Sequence, residues 1–92
     1  MIAVYKYVLA ETDDQTILMP KGAKILSVGA QRDLICLWAL INDGEPMMGH
    51  RFYIVGTGYP ASHVVRSTFL GTVSLHNAEL IFQVFQDNAV NK

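Results

Sequence analysis

Ninety-two residues, 51% hydrophobic and 16% charged, describe one globular domain and exclude a disordered chain. A formal charge of −1 removes the electrostatic footprint of a general nucleic-acid binder, and no apolar run reaches the ~18 residues of a membrane span. The single cysteine, Cys36, can form no internal disulfide, and Met1 to Lys6 lacks a signal-peptide pattern, so a reducing, cytoplasmic setting is expected.

Seven runs rich in β-branched, aliphatic and aromatic residues follow one another between turn formers, the signature of an all-β sandwich or barrel. Ile2 to Leu9 comes first and ends in the charged loop Glu11 to Asp14. Gln15 to Met19 follows, closed by Pro20-Lys21-Gly22, in which proline fixes φ and glycine can supply a positive one. Lys24 to Gln31 and Leu34 to Ile41 are separated only by Arg32-Asp33, close enough for a hairpin. Asn42-Asp43-Gly44 opens a longer loop through Gly49, which places Met47 and Met48 outside the strands, and Arg51 to Thr57 is the fifth run. Pro60 suits the first position of a short helical turn at Ala61 to Val65. Thr68 to Leu75 and Glu79 to Phe85 complete the set, joined by a two-residue connection, His76-Asn77; Leu80, Phe82 and Val84 alternate to one face.

Leu34 to Ile41 is apolar on both faces and must be covered twice, by the core on one side and by a loop or a second subunit on the other. Trp38, with apolar neighbours on both sides, is expected as a core anchor. Burial of apolar surface is worth roughly 140 kcal/mol for this mass, and ordering the chain costs a nearly equal ~140 kcal/mol. A lone subunit would be marginal, so a homo-oligomer is expected.

All eight acids lie outside the window from Pro46 to Ala78, which holds Arg51, Arg66 and all three histidines. An anionic partner, an acidic protein surface or a phosphate-bearing ligand, would dock on Arg51, Gly56, Thr57, Gly58, His63 and Arg66, with the glycine loop presenting backbone N–H groups. The competing reading is that both arginines form ordinary surface pairs with Asp43, Glu45 or Glu79. Gly56-Thr57-Gly58-Tyr59-Pro60-Ala61 fits the dinucleotide-binding spacing, but strand-like residues resume at Thr68 and leave no room for the crossover helix. His50, His63 and His76 carry no metal-ligand spacing, so neither a metal nor a cofactor is expected. Ser62-His63 has no orienting acid nearby, so catalysis is not expected either. Met47, Met48 and Tyr59 offer adaptable apolar contacts and are the candidate interface, unless they cap the ends of the sandwich.

The segments Tyr5-Lys6-Tyr7, Gln15-Thr16-Ile17, Met19-Pro20-Lys21-Gly22-Ala23-Lys24-Ile25-Leu26-Ser27-Val28, Leu37-Trp38-Ala39-Leu40, Gly56-Thr57-Gly58, Leu70-Gly71-Thr72 and Phe82-Gln83-Val84-Phe85 carry a resemblance over nearly the whole chain. It resembles a family of short, uncharacterised proteins encoded by bacteriophages and prophages. The resemblance implies a phage setting and brings no mechanism. It also implies histidine in relatives where this chain has Gln83, which speaks against catalysis there. The reading that follows is a non-enzymatic, homo-oligomeric protein that binds another protein in the host cytoplasm and counters a host function. A binder of a small anionic ligand such as a nucleotide is the alternative, and a small enzyme the third.

Overall fold

Alternation of apolar and polar residues pulls this chain into strands, and the computed structural model, which describes residues 1–88, pairs them into two antiparallel sheets. The strands are β1 (Ile2–Leu9), β2 (Asp14–Pro20), β3 (Lys24–Gln31), β4 (Leu34–Asn42), β5 (Met47–Gly56), β6 (Thr68–Leu75) and β7 (Leu80–Gln86). A three-stranded sheet runs β1-β4-β3 and a four-stranded sheet β2-β5-β7-β6. They face each other as an all-β sandwich and do not close into a barrel. No helix among the described residues is long and apolar enough to cross a membrane.

The core lies between the sheets. Ile35, Leu37, Ala39 and Ile41 of β4 point inward with Leu9 of β1, and meet Met19, Phe52, Ile54, Val73, Leu75 and Val84 from the facing sheet. A smaller cluster, Tyr53, Val55 and Val64, forms on the far side of β5, where the segment after β5 folds back through the 3-10 turn Ser62–Val64. That turn stands where a helical turn was expected and is shorter.

Four expectations need correction. Met47 and Met48 are not in a loop: β5 starts at Met47, because pairing of Pro20 with Met47 and of Met19 with Met48 draws the segment into the sheet. Thr57 lies beyond the end of β5 rather than in it. The β6–β7 connection has four residues, since Leu75 pairs with Leu80, and His76, Asn77 and Ala78 all take positive φ, at 52°, 56° and 68°. Trp38 is not in the core; it is half-buried on the outer face of the three-stranded sheet.

The two sheets come closest along β3 and β6, which lie side by side without ladder pairing. Gly71 makes this possible, since a Cβ there would stand 2.6 Å from Val28 Cγ2. At one end Asp33, in the β3–β4 turn, accepts from the His76 backbone N–H at 2.7 Å and lies 2.6 Å from His76 Nδ1. Two hairpin tips far apart in sequence are thereby clasped. The opposite long side of the sandwich is bounded by β1 and β2, which do not pair with each other.

Candidate interaction surfaces

Arg51 sits on the outer face of the four-stranded sheet because register places it beside Thr16, two positions from the pair Asp14 and Tyr53 on the same face. Its Nε donates to Asp14 Oδ1 at 2.8 Å, one Nη donates to Asp14 Oδ2 at 2.5 Å, and the other is 3.8 Å from Asp87 Oδ2. Its guanidinium carbon lies 5.2 Å from the centre of the Tyr53 ring. The hydrogen bond from Arg51 holds the Asp14 carboxyl below its ordinary pKa, and the same bond raises Arg51. Burial pushes the Tyr53 phenol up, helped by its bond to Asp87 at 3.2 Å. Arg51 therefore does form surface pairs, with Asp14 and Asp87 rather than with Asp43, Glu45 or Glu79.

The other residues of the acid-free window are only partly assembled. His63 meets the Tyr53 ring edge-on at 5.5 Å, which links it to Arg51. Arg66 is exposed past the 3-10 turn; its carbonyl accepts from Asn88 Nδ2 at 2.6 Å, and among the described residues no carboxylate reaches its guanidinium. In the glycine segment, the Thr57 N–H is already given to the Ile81 carbonyl and the Tyr59 N–H to the Gly56 carbonyl. Thr57 is tied further to Gln83, whose Nε2 donates to its hydroxyl at 3.0 Å. A Cβ on Gly56 would lie 3.3 Å from the Tyr59 ring, so glycine lets that ring fold down over the turn.

A cavity of about 540 Å³ opens at this end of the sandwich, over Ile54 and Phe82, and Gly56, Thr57 and Tyr59 form one wall. The remaining walls bring in Glu11 and Asp13 from the β1–β2 loop and Glu79 from the β6–β7 turn. A window free of acids in sequence is thus bordered by three carboxylates in space. The three histidines stay apart: His50 points into the sandwich with its Nε2 buried and unbonded, His63 is on Tyr53, and His76 is on Asp33. No group of three metal-ligating side chains occurs among the described residues. Of the three contact residues named from sequence, Met47 and Tyr59 are well exposed, whereas Met48 faces inward opposite Met19.

The second apolar face of Leu34 to Ile41, which the sequence pattern required to be covered, lies on the outer side of the three-stranded sheet. Register places Ile2, Val4, Lys6 and Val8 of β1 beside Leu40, Trp38 and Cys36 of β4, with Lys24, Ser27, Gly29 and Gln31 of β3 on the other flank. Ile2, Val4, Val8 and Leu40 stay in water, from 38% exposed for Leu40 to 68% for Ile2, and no carboxylate lies among these positions. Trp38 leans across Gly29, where a Cβ would be 3.7 Å from its ring. Lys6 Nζ donates to Gln31 Oε1 at 2.5 Å, a strap that crosses β4 at the level of Cys36, which is 1% exposed. The signal for this face was present in the two-sided apolar pattern of β4.

No curated protein and no solved structure matches the chain. A family model described as a domain of unknown function, DUF7352, matches residues 1–92. With that match spanning the chain from end to end, this two-sheet protein belongs to the DUF7352 family.

Proposed function

We propose that the protein works by binding another protein rather than by catalysis, as a homo-oligomer, in the cytoplasm of a phage-bearing cell where it counters a host function. The observation that supports a binding role is the outer face on which Ile2, Val4, Val8, Leu34 and Leu40 surround Trp38 with no acid among them. Each Å² of such surface left in water forgoes about 25 cal/mol, and a tryptophan set among aliphatic side chains is the kind of anchor that dominates protein interfaces. The phage setting rests on the resemblance carried by Met19 to Val28 and Leu37 to Leu40, and the cytoplasm on the lone thiol.

An anionic ligand on Arg51, Gly56, Thr57, Gly58, His63 and Arg66 has weaker support. Arg51 is engaged with Asp14, and Glu11, Asp13 and Glu79 border the glycine turn with charge of the wrong sign. For an enzyme, no serine or cysteine among the described residues is hydrogen-bonded to a base.

Affinity capture from an infected or prophage-bearing host tests the proposal, with wild type, Leu40→Glu and the pair Arg51→Ala and Arg66→Ala, each shown to be folded. The expected result is a protein held by wild type and both arginine variants and lost by Leu40→Glu. Loss in the arginine variants alone would move the site to the window. No captured protein, together with a thermal shift in nucleotide, would replace the proposal with the small-ligand reading; ligand at 100 times its Kd adds about 2.7 kcal/mol.

A further inference from the structure

Two sheets that do not close into a barrel leave four edges, and three of them are protected. β3 and β6 lie against each other, and each carries a bulge, at Leu26 and at Leu70. β2 begins at Asp14, next to Asp13, and closes on Pro20, which has no N–H to give. β1 has none of these devices. Its eight residues run in unbroken register with β4, contain neither proline nor bulge, and carry one charge, Lys6, which is strapped to Gln31. Among the described residues, the backbone groups of β1 that point away from β4 have no partner.

From this edge we infer that β1 pairs antiparallel with β1 of a second copy, across a two-fold axis at Tyr5, to make one six-stranded sheet. The inference rests on the homo-oligomer reading above and specifies its geometry. In a two-fold antiparallel pair, residues opposite each other share a face, so their numbers must sum to an even value. A sum of 12 sets Lys6 against Lys6 of the partner, which like-charge repulsion disfavours, and a sum of 8 pairs only Ile2 to Lys6. A sum of 10 pairs Ile2 to Val8, sets Tyr5 against its own copy, and gives Lys6 a valine, Val4, as its opposite.

The pairing would also enlarge the apolar face offered to a partner. Three strands about 4.8 Å apart and eight residues of about 3.3 Å give an outer face of roughly 380 Å² in projection, and six give roughly 760 Å². A stable interface takes about 800 Å² from each partner, so edge pairing turns two modest apolar faces into one of ordinary size. A second copy is also the one strand of matching pattern always present at the protein's own concentration.

The test is cysteine trapping. Residues directly opposite have Cα atoms about 4.5 to 5.5 Å apart, within disulfide reach, whereas Lys6 and its copy would be diagonal, about 7 to 8 Å apart and out of reach. Tyr5 is 44% exposed and the native thiol is buried, so Tyr5→Cys should cross-link on mild oxidation and Lys6→Cys should not. In wild type, which avoids any folding defect of a variant, light scattering should give twice 10.2 kDa, and β1 amides should exchange more slowly as concentration rises. A dimer in which Lys6→Cys cross-links and Tyr5→Cys does not, or in which β1 amides exchange freely, would overturn the edge pairing and leave self-association standing. A monomer at about 100 times the concentration used for capture would overturn both, while leaving the capture result on Leu40→Glu to judge partner binding separately.

Discussion

Ala78 holds a left-handed conformation that costs an L-residue about 1 to 2 kcal/mol, and it does so as the third such residue in a row after His76 and Asn77. Ala78→Gly removes that cost but loosens the unfolded chain, so a net gain of about 0.5 to 1 kcal/mol is expected, seen as a rise in Tm. Arg51 and Asp14 give a second residue-scale prediction. Because the folded pKa of Asp14 is lowered by Arg51, the pair's stabilisation is present above the ordinary carboxylate value and is lost as pH falls through the folded one. Arg51→Gln should therefore lower stability modestly near neutrality, where the pair is formed, and flatten the acid limb so that variant and wild type converge below about pH 4; identical curves would show the pair to be inert. Neither feature could be foreseen from one sequence. Asp14 reaches Arg51 only because β2 pairs with β5, and an acid-free stretch of chain says nothing about acids delivered by a neighbouring strand.

At the scale of elements, the β3–β6 seam depends on what Gly71 lacks. Gly71→Ala would drive a methyl into Val28 and should cost about 1 to 3 kcal/mol. In a Val28→Ala background the steric part of that cost should be relieved, while the strain of a φ of 156° at residue 71 remains, and a double-mutant cycle in urea measures the steric part; strict additivity would mean that Val28 already moves aside freely. Strand existence was legible from alternation, and β1, β3 and β6 have the bounds their patterns indicate. The start of β5 was not, because Pro46, the two methionines, Gly49 and His50 have little strand character, and only the partner strand makes them one. Likewise the sequence marks β4 as apolar on both faces but cannot say which face turns inward. Alternation groups Trp38 with Leu34, Cys36 and Leu40, and the choice of Ile35, Leu37, Ala39 and Ile41 for the core is made by the facing sheet.

For the whole molecule, the proposed binding role predicts that Trp38 contributes more to association than to folding. Trp38→Ala should cost about 1 to 2 kcal/mol in stability, below the 3 to 5 kcal/mol of a buried aromatic, and should abolish capture of a partner. A larger loss of stability with binding intact would return the ring to a structural role.

The strap of Lys6 over Cys36 gives the face a built-in chemical clock. A thiol that is 1% exposed reacts with a disulfide reagent only when its surroundings open, so its labelling rate is the intrinsic rate multiplied by the fraction of time it stands uncovered. Lys6→Ala should speed labelling without unfolding the sheet, and a bound partner should slow it further. One reagent and one native cysteine would then report, in real time and without a label, when this surface is occupied.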